Sequence, residues 1–133
     1  MYTLINTYDF KRRRVKVKKI LLEQNKLFNS NVTKSYQFRI LQLKKLKAAI
    51  KEHESKIIKA LYDDLNKSSV EAYTTEVGFV LNSIDQSMKR LKKWMKPKKD
   101  KTPLFMFGSK SYILSEPLGA ICIIGPFNYP FQL

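Results

Sequence analysis

Cysteine is almost missing from this chain. Cys122 is the only one in 133 residues, so no internal disulfide can form and no thiolate cluster can hold zinc. Histidine is equally scarce: His53 stands alone, leaving one imidazole for base or ligand work. No apolar run approaches the ~18 residues of a membrane-spanning helix. A secretory signal is not visible either, because the basic block follows Phe10 and the apolar run after it, Ile20-Leu21-Leu22, is too short. A cytoplasmic setting is therefore expected. Acidic residues are also few, 11 against 26 Lys and Arg, for a formal charge of +15.

The hydrophobic fraction of 44% is ordinary for a folded protein. The positive excess is gathered in two blocks. One holds Lys11, Arg12, Arg13, Arg14, Lys16, Lys18 and Lys19. The other runs from Lys89 to Lys101 through Arg90, Lys92, Lys93, Lys96, Lys98 and Lys99. A small basic protein that binds nucleic acid or an anionic surface is one function such blocks support. A solvated helix end and a leader are the plainer explanation.

Residues 1–24 lack a clean period and are set apart as a basic leader of uncertain structure. A helical segment is expected over 25–100. Phe38, Leu41, Leu46, Ala49 and Ile50 recur at helical spacing between Val32 and Glu54, with Lys44, Lys45, Lys47 and Lys51 opposite. A shorter helix spans Ser55 to Leu65, with Ile57, Ile58, Leu61 and Leu65 on its apolar side and a stop near Asn66. The third helix opens with a capping box: the Ser68 hydroxyl accepts from the Glu71 N–H and the Glu71 carboxylate answers the Ser68 N–H. Its stripe runs through Val70, Tyr73, Val77, Val80, Leu81, Ile84, Met88, Leu91, Trp94 and Met95, and Pro97 stops it. Gly78 lies inside at a cost of about 1 kcal/mol relative to Ala, which the close approach of another helix would explain.

Residues 101–133 read as the opening of a sheet. Pro103–Phe107 and Ser109–Ser115 are expected as short strands about Gly108. Ala120–Ile124 is a continuous apolar run, expected as a parallel strand buried on both faces. The order makes the fold class α/β.

Few residues can carry chemistry. His53 sits among Lys51, Glu52 and Glu54 and reads as an exposed helix residue. Cys122 reads as a buried, inert thiol inside the apolar strand. Gly119 and Gly125 fit no phosphate-cradling spacing. Asn128 differs, because it follows a strand that ends in Gly-Pro, where open α/β sheets build ligand sites. Its amide is a donor that does not titrate, suited to an oxyanion hole; a turn-forming asparagine is the bland alternative.

The segment EPLGAICIIGPFNYPFQL, Glu116 to Leu133, resembles the opening of the catalytic half of the aldehyde dehydrogenase superfamily, where an E-P-x-G turn, a hydrophobic strand and a P-[WF]-N-[YF]-P motif follow one another. FRxxQLxxLKxAIxxxE from Phe38, ALYDDLNKSSVEAYTTEVGFVLNSI from Ala60 and KSYILSEPLG from Lys110 resemble the class 3-like branch. The resemblance runs from about Asn25 to Leu133. It implies a Rossmann-like cofactor domain, here incomplete, and NAD(P)-dependent oxidation of aldehydes to acids through a cysteine thiohemiacetal. It places Asn128 at the oxyanion-hole amide, and Ile124, Gly125, Pro126 and Phe127 at the strand end lining the nicotinamide dinucleotide pocket. Phe127 stands where many relatives have tryptophan. The G-Q-x-C, E-x-G-G-K and F-T-G-S motifs are not in this sequence. The expectation is an N-terminal fragment, inactive alone, with NAD or NADP and an aldehyde as ligands of the intact family. A remainder chain or a second copy would be its partner, and no metal is expected.

Overall fold

The computed structural model describes residues 7–133, with side chains from residue 16 onward. Among the described residues five α-helices and one two-stranded sheet follow in order: α1 (Thr7–Asn29), α2 (Tyr36–Glu52), α3 (Glu54–Leu65), α4 (Ser69–Ala72), α5 (Gly78–Trp94), β1 (Lys98–Asp100) and β2 (Ser111–Ile113). A π-helical turn, Tyr73–Val77, joins α4 to α5, and 3-10 turns lie at Val32–Lys34 and Leu104–Met106. The chain forms two compact units.

One unit comprises the chain up to Ser35 together with Pro117–Cys122. Residues 7–24, which the sequence leaves as a leader without evident structure, are helical; residues 1–6 of that leader lie outside the described ones. Lys, Leu, Gln and Glu are good helix formers, and these dominate the second half of α1. The helix ends where Asn31 turns to φ 65° and its N–H bonds the Phe28 carbonyl at 3.1 Å. Gly119 turns at φ +91°, and a Cβ there would lie 3.5 Å from the Phe28 ring.

The other unit, Tyr36–Glu116 with Ile123–Leu133, holds the core. Ile50, Val77, Leu81 and Ile84 are buried together, with Leu43, Ile57, Ile58, Val80, Met88 and Phe131 packed around them. Asn66 ends α3 in the left-handed region at φ 53°, its N–H bonding the Tyr62 carbonyl at 2.8 Å. Ser68 caps α4 by accepting from the Glu71 N–H at 3.2 Å. The reciprocal bond expected from the Glu71 carboxylate is not formed among the described residues. Two other expectations shift in register. On α2 the core-facing positions are Leu43 and Ile50, while Leu41 and Leu46 face solvent. The neighbour that excludes a side chain at Gly78 is its own helix: the Gly78 N–H bonds Tyr73 O across the π turn, and a Cβ there would meet that oxygen at 3.0 Å and the Tyr73 ring at 3.2 Å.

The strands also fall differently. β1 lies in the lysine-rich linker and pairs antiparallel with β2, Lys98 opposite Ile113 and Asp100 opposite Ser111. The stretch expected as a strand at Pro103–Phe107 is instead a 3-10 turn at the hairpin tip. Ala120–Ile124 forms no ladder among the described residues. A parallel strand gains its hydrogen bonds only from neighbouring strands, and β1 and β2 pair with each other.

Candidate functional site

The Gly125–Leu133 segment is positioned by two charged side chains that the sequence pattern did not single out. The αL stop at Asn66 turns the chain so that Lys67, only 8% exposed, points inward. Glu76, on the π turn beside Val77, is fully buried. Their ammonium and carboxylate meet at 2.5 Å. The same Lys67 Nζ donates to the Asn128 carbonyl at 3.1 Å and lies 4.1 Å from the centre of the Tyr129 ring. The second Glu76 oxygen accepts from the Phe131 N–H at 2.9 Å and the Gln132 N–H at 3.3 Å. The Phe131 side chain packs on the core, and Leu133 N–H bonds Tyr129 O at 3.0 Å in a single helical turn. A carboxylate with two oxygens thus satisfies three donors, as a buried charge requires.

Periodicity could not reveal this pair. Glu76 is one position away from the apolar stripe, and the π turn brings it inward. Thr74 and Thr75, whose hydroxyls bond the Val70 and Glu71 carbonyls at 2.8 and 2.7 Å, accompany that turn.

Asn128 itself is exposed. Its backbone is held through its carbonyl, and its side-chain amide has no hydrogen-bond partner among the described residues. Ile124 and Phe127 are 93% and 95% exposed, and Gly125 and Pro126 are exposed with them. All four thus lie open to solvent, with no polar side chain among them. Residues 123–133 contain no cation to answer a pyrophosphate. His53 is exposed between α2 and α3. Cys122 is exposed rather than buried, which corrects the expectation of a packed thiol; the strand that would bury it has no sheet around it. The lysines of the 89–101 block are exposed, as a solvated helix end would be. Among the described residues no His, Cys, Asp and Glu group could hold a metal, and no helix is long and apolar enough to cross a membrane.

A helical layer leading through a hairpin to a Gly-Pro-Phe-Asn segment is the opening of an aldehyde dehydrogenase fold. The chain belongs to the aldehyde dehydrogenase family, whose model matches residues 11–133 and so reaches into the segment left without a counterpart. The 4,4'-diaponeurosporen-aldehyde dehydrogenase of Staphylococcus aureus (strain NCTC 8325 / PS 47) is 57% identical over 106 residues, which cover 80% of this chain and 23% of that protein. Aldehyde dehydrogenase family 3 member H1 of Arabidopsis thaliana is 43% identical over 114 residues, 86% of this chain and 24% of that one. A solved structure described as the substrate-bound state of Staphylococcus aureus AldH superposes with a TM-score of 0.84 at 51% identity, over 87% of this chain and 25% of its own. The chain spans about a quarter of the length of these relatives and aligns to their N-terminal part.

Proposed function

We propose that this chain supplies the N-terminal quarter of a cytoplasmic, NAD(P)-dependent aldehyde dehydrogenase, in which the Asn128 amide donates to the oxyanion formed when a cysteine elsewhere in the enzyme attacks the aldehyde. The observation that supports this most directly is the division of labour at Asn128: its carbonyl is tethered by Lys67 while its amide is left available. A fixed neutral donor stabilises developing negative charge without reorganising. Ile124, Gly125, Pro126 and Phe127 would form one wall of the dinucleotide pocket. The dinucleotide, when bound, accepts the hydride. A lone cysteine gives no disulfide framework that would call for an oxidising compartment. The domain division 1–24, 25–100 and 101–133 is part of the same proposal, as is assembly with a remainder chain or a second copy.

Two measurements test it. The 133-residue chain, mixed with NAD or NADP and a panel of aldehydes, is expected to form no reduced nicotinamide. An enzyme in which residues 25–133 replace the matching segment of the Staphylococcus aureus relative is expected to turn over. There Asn128→Ala should lower kcat by about 10²–10³-fold, the usual loss for one oxyanion donor. A folded hybrid without turnover, or one indifferent to Asn128→Ala, overturns the proposal.

A further inference from the structure

We infer that Lys67 and Glu76 are positioning residues for Asn128. They form a buried clasp whose outer bonds fall on backbone atoms on and after the asparagine. Lys67 reaches the Asn128 carbonyl, and Glu76 reaches the Phe131 and Gln132 amides. The tethered residues are distant in sequence, 61 positions for Lys67 and 55 for Glu76 to Phe131. The clasp therefore fixes the loop to the helical core rather than to itself.

An ion pair so deeply buried is a poor device for stability alone. Removing both charges from water costs free energy that their attraction barely returns, and an apolar pair of similar size commonly serves as well. What an apolar pair cannot do is accept two N–H groups and donate to a carbonyl. Those directional bonds set where the backbone of Asn128 lies, and so where its amide can aim. The Tyr129 ring over the ammonium and the packed Phe131 side chain fix the same five-residue stretch, Asn128–Gln132, from two more sides. The π turn belongs to the device, because it carries Glu76 into the interior.

This inference rests on the oxyanion role proposed for Asn128, and the test separates the two. In the 133-residue chain, amide hydrogen exchange at Phe131 and Gln132 should be slow and should quicken by about tenfold or more in Glu76→Gln, the weight of a hydrogen bond to a charged acceptor. Equal exchange in both proteins overturns the clasp. In the hybrid enzyme described above, Glu76→Gln and Lys67→Met should each lower kcat by about 10–100-fold, as expected for misplacing a catalytic group. KM for the dinucleotide should hold. The double variant Lys67→Met/Glu76→Leu should stay folded and remain slow; full kcat in that folded variant overturns the inference, as does a lowered Tm with kcat intact in Glu76→Gln. Placed on Asn128→Ala, the Glu76→Gln change should add less than about a further twofold loss, because coupled residues do not add. If Asn128→Ala is slow yet Glu76→Gln costs as much on top of it, the clasp is unconnected to the amide and this inference alone fails. If Asn128→Ala keeps full kcat, the oxyanion role fails and the inference falls with it.

Discussion

Lys47 Nζ on α2 lies 2.6 Å from one carboxylate oxygen of Asp85 on α5 and 2.7 Å from the other. The pair is half-buried and ties the two long helices across the core edge. The hydrogen bond from Lys47 holds the Asp85 carboxyl below its ordinary value of 3.8, against an opposing push from burial and with the charges of Lys47, Lys89 and Lys51 adding to it. The folded state thus binds that proton more weakly than the unfolded one. Its contribution is fully present above the ordinary value and is lost as pH falls through the depressed one. Asp85→Asn should lower the urea midpoint at neutral pH and converge on the wild type in acid. A gap that persists unchanged into acid would assign the loss to packing instead of charge.

At the start of α4 the cap is one-sided. Ser68→Ala removes the bond to the Glu71 N–H and should cost about 1 kcal/mol in urea unfolding. Glu71→Ala removes no capping bond and should cost clearly less. Equal losses would show that the carboxylate does close the box in solution.

Gly78→Ala opposes two effects. Helix propensity favours alanine by about 1 kcal/mol. The added Cβ would press on Tyr73 O at 3.0 Å, a backbone atom of the π turn that has little room to yield. The expected result is a net loss of about 1 kcal/mol, at the lower end of overpacking effects. A net gain in thermal stability would mean the π turn yields readily.

The hairpin tip leaves Leu104, Phe105 and Phe107 at 95%, 87% and 98% exposure. Large apolar groups clustered in the open promote association. Phe105→Ser/Phe107→Ser should reduce light scattering of the concentrated chain while leaving its helical circular dichroism unchanged. Scattering that does not fall would move the association to the exposed Ile121, Ile123 and Ile124.

Some of this was legible in the sequence. Ser68, Asn66 and Pro97 marked helix boundaries because caps and breakers act on their nearest neighbours. The helices from Tyr36 to Trp94 followed, and the motif around Asn128 carried the resemblance to the family that the chain belongs to. What was missed depends on distant groups or on an unpatterned helix. The first helix has lysines around much of its circumference, so propensity rather than period builds it. Lysines are poor strand formers, and β1 exists because Ser111–Ile113 lies beside it. Lys67 and Glu76 looked like surface charges because the backbone atoms they serve lie far along the chain.

The clasp also imposes an order on biosynthesis. Glu76 leaves the ribosome 55 residues ahead of the Phe131 N–H it will accept. At about 5–20 residues per second that interval is roughly 3–11 s. During it the helices can gather, but the carboxylate at their centre has only Lys67 for company and still wants water. Two of its three donors arrive only with the Asn128 segment, so the stretch that emerges last is the one that completes the buried polar network and, through Phe131, the core.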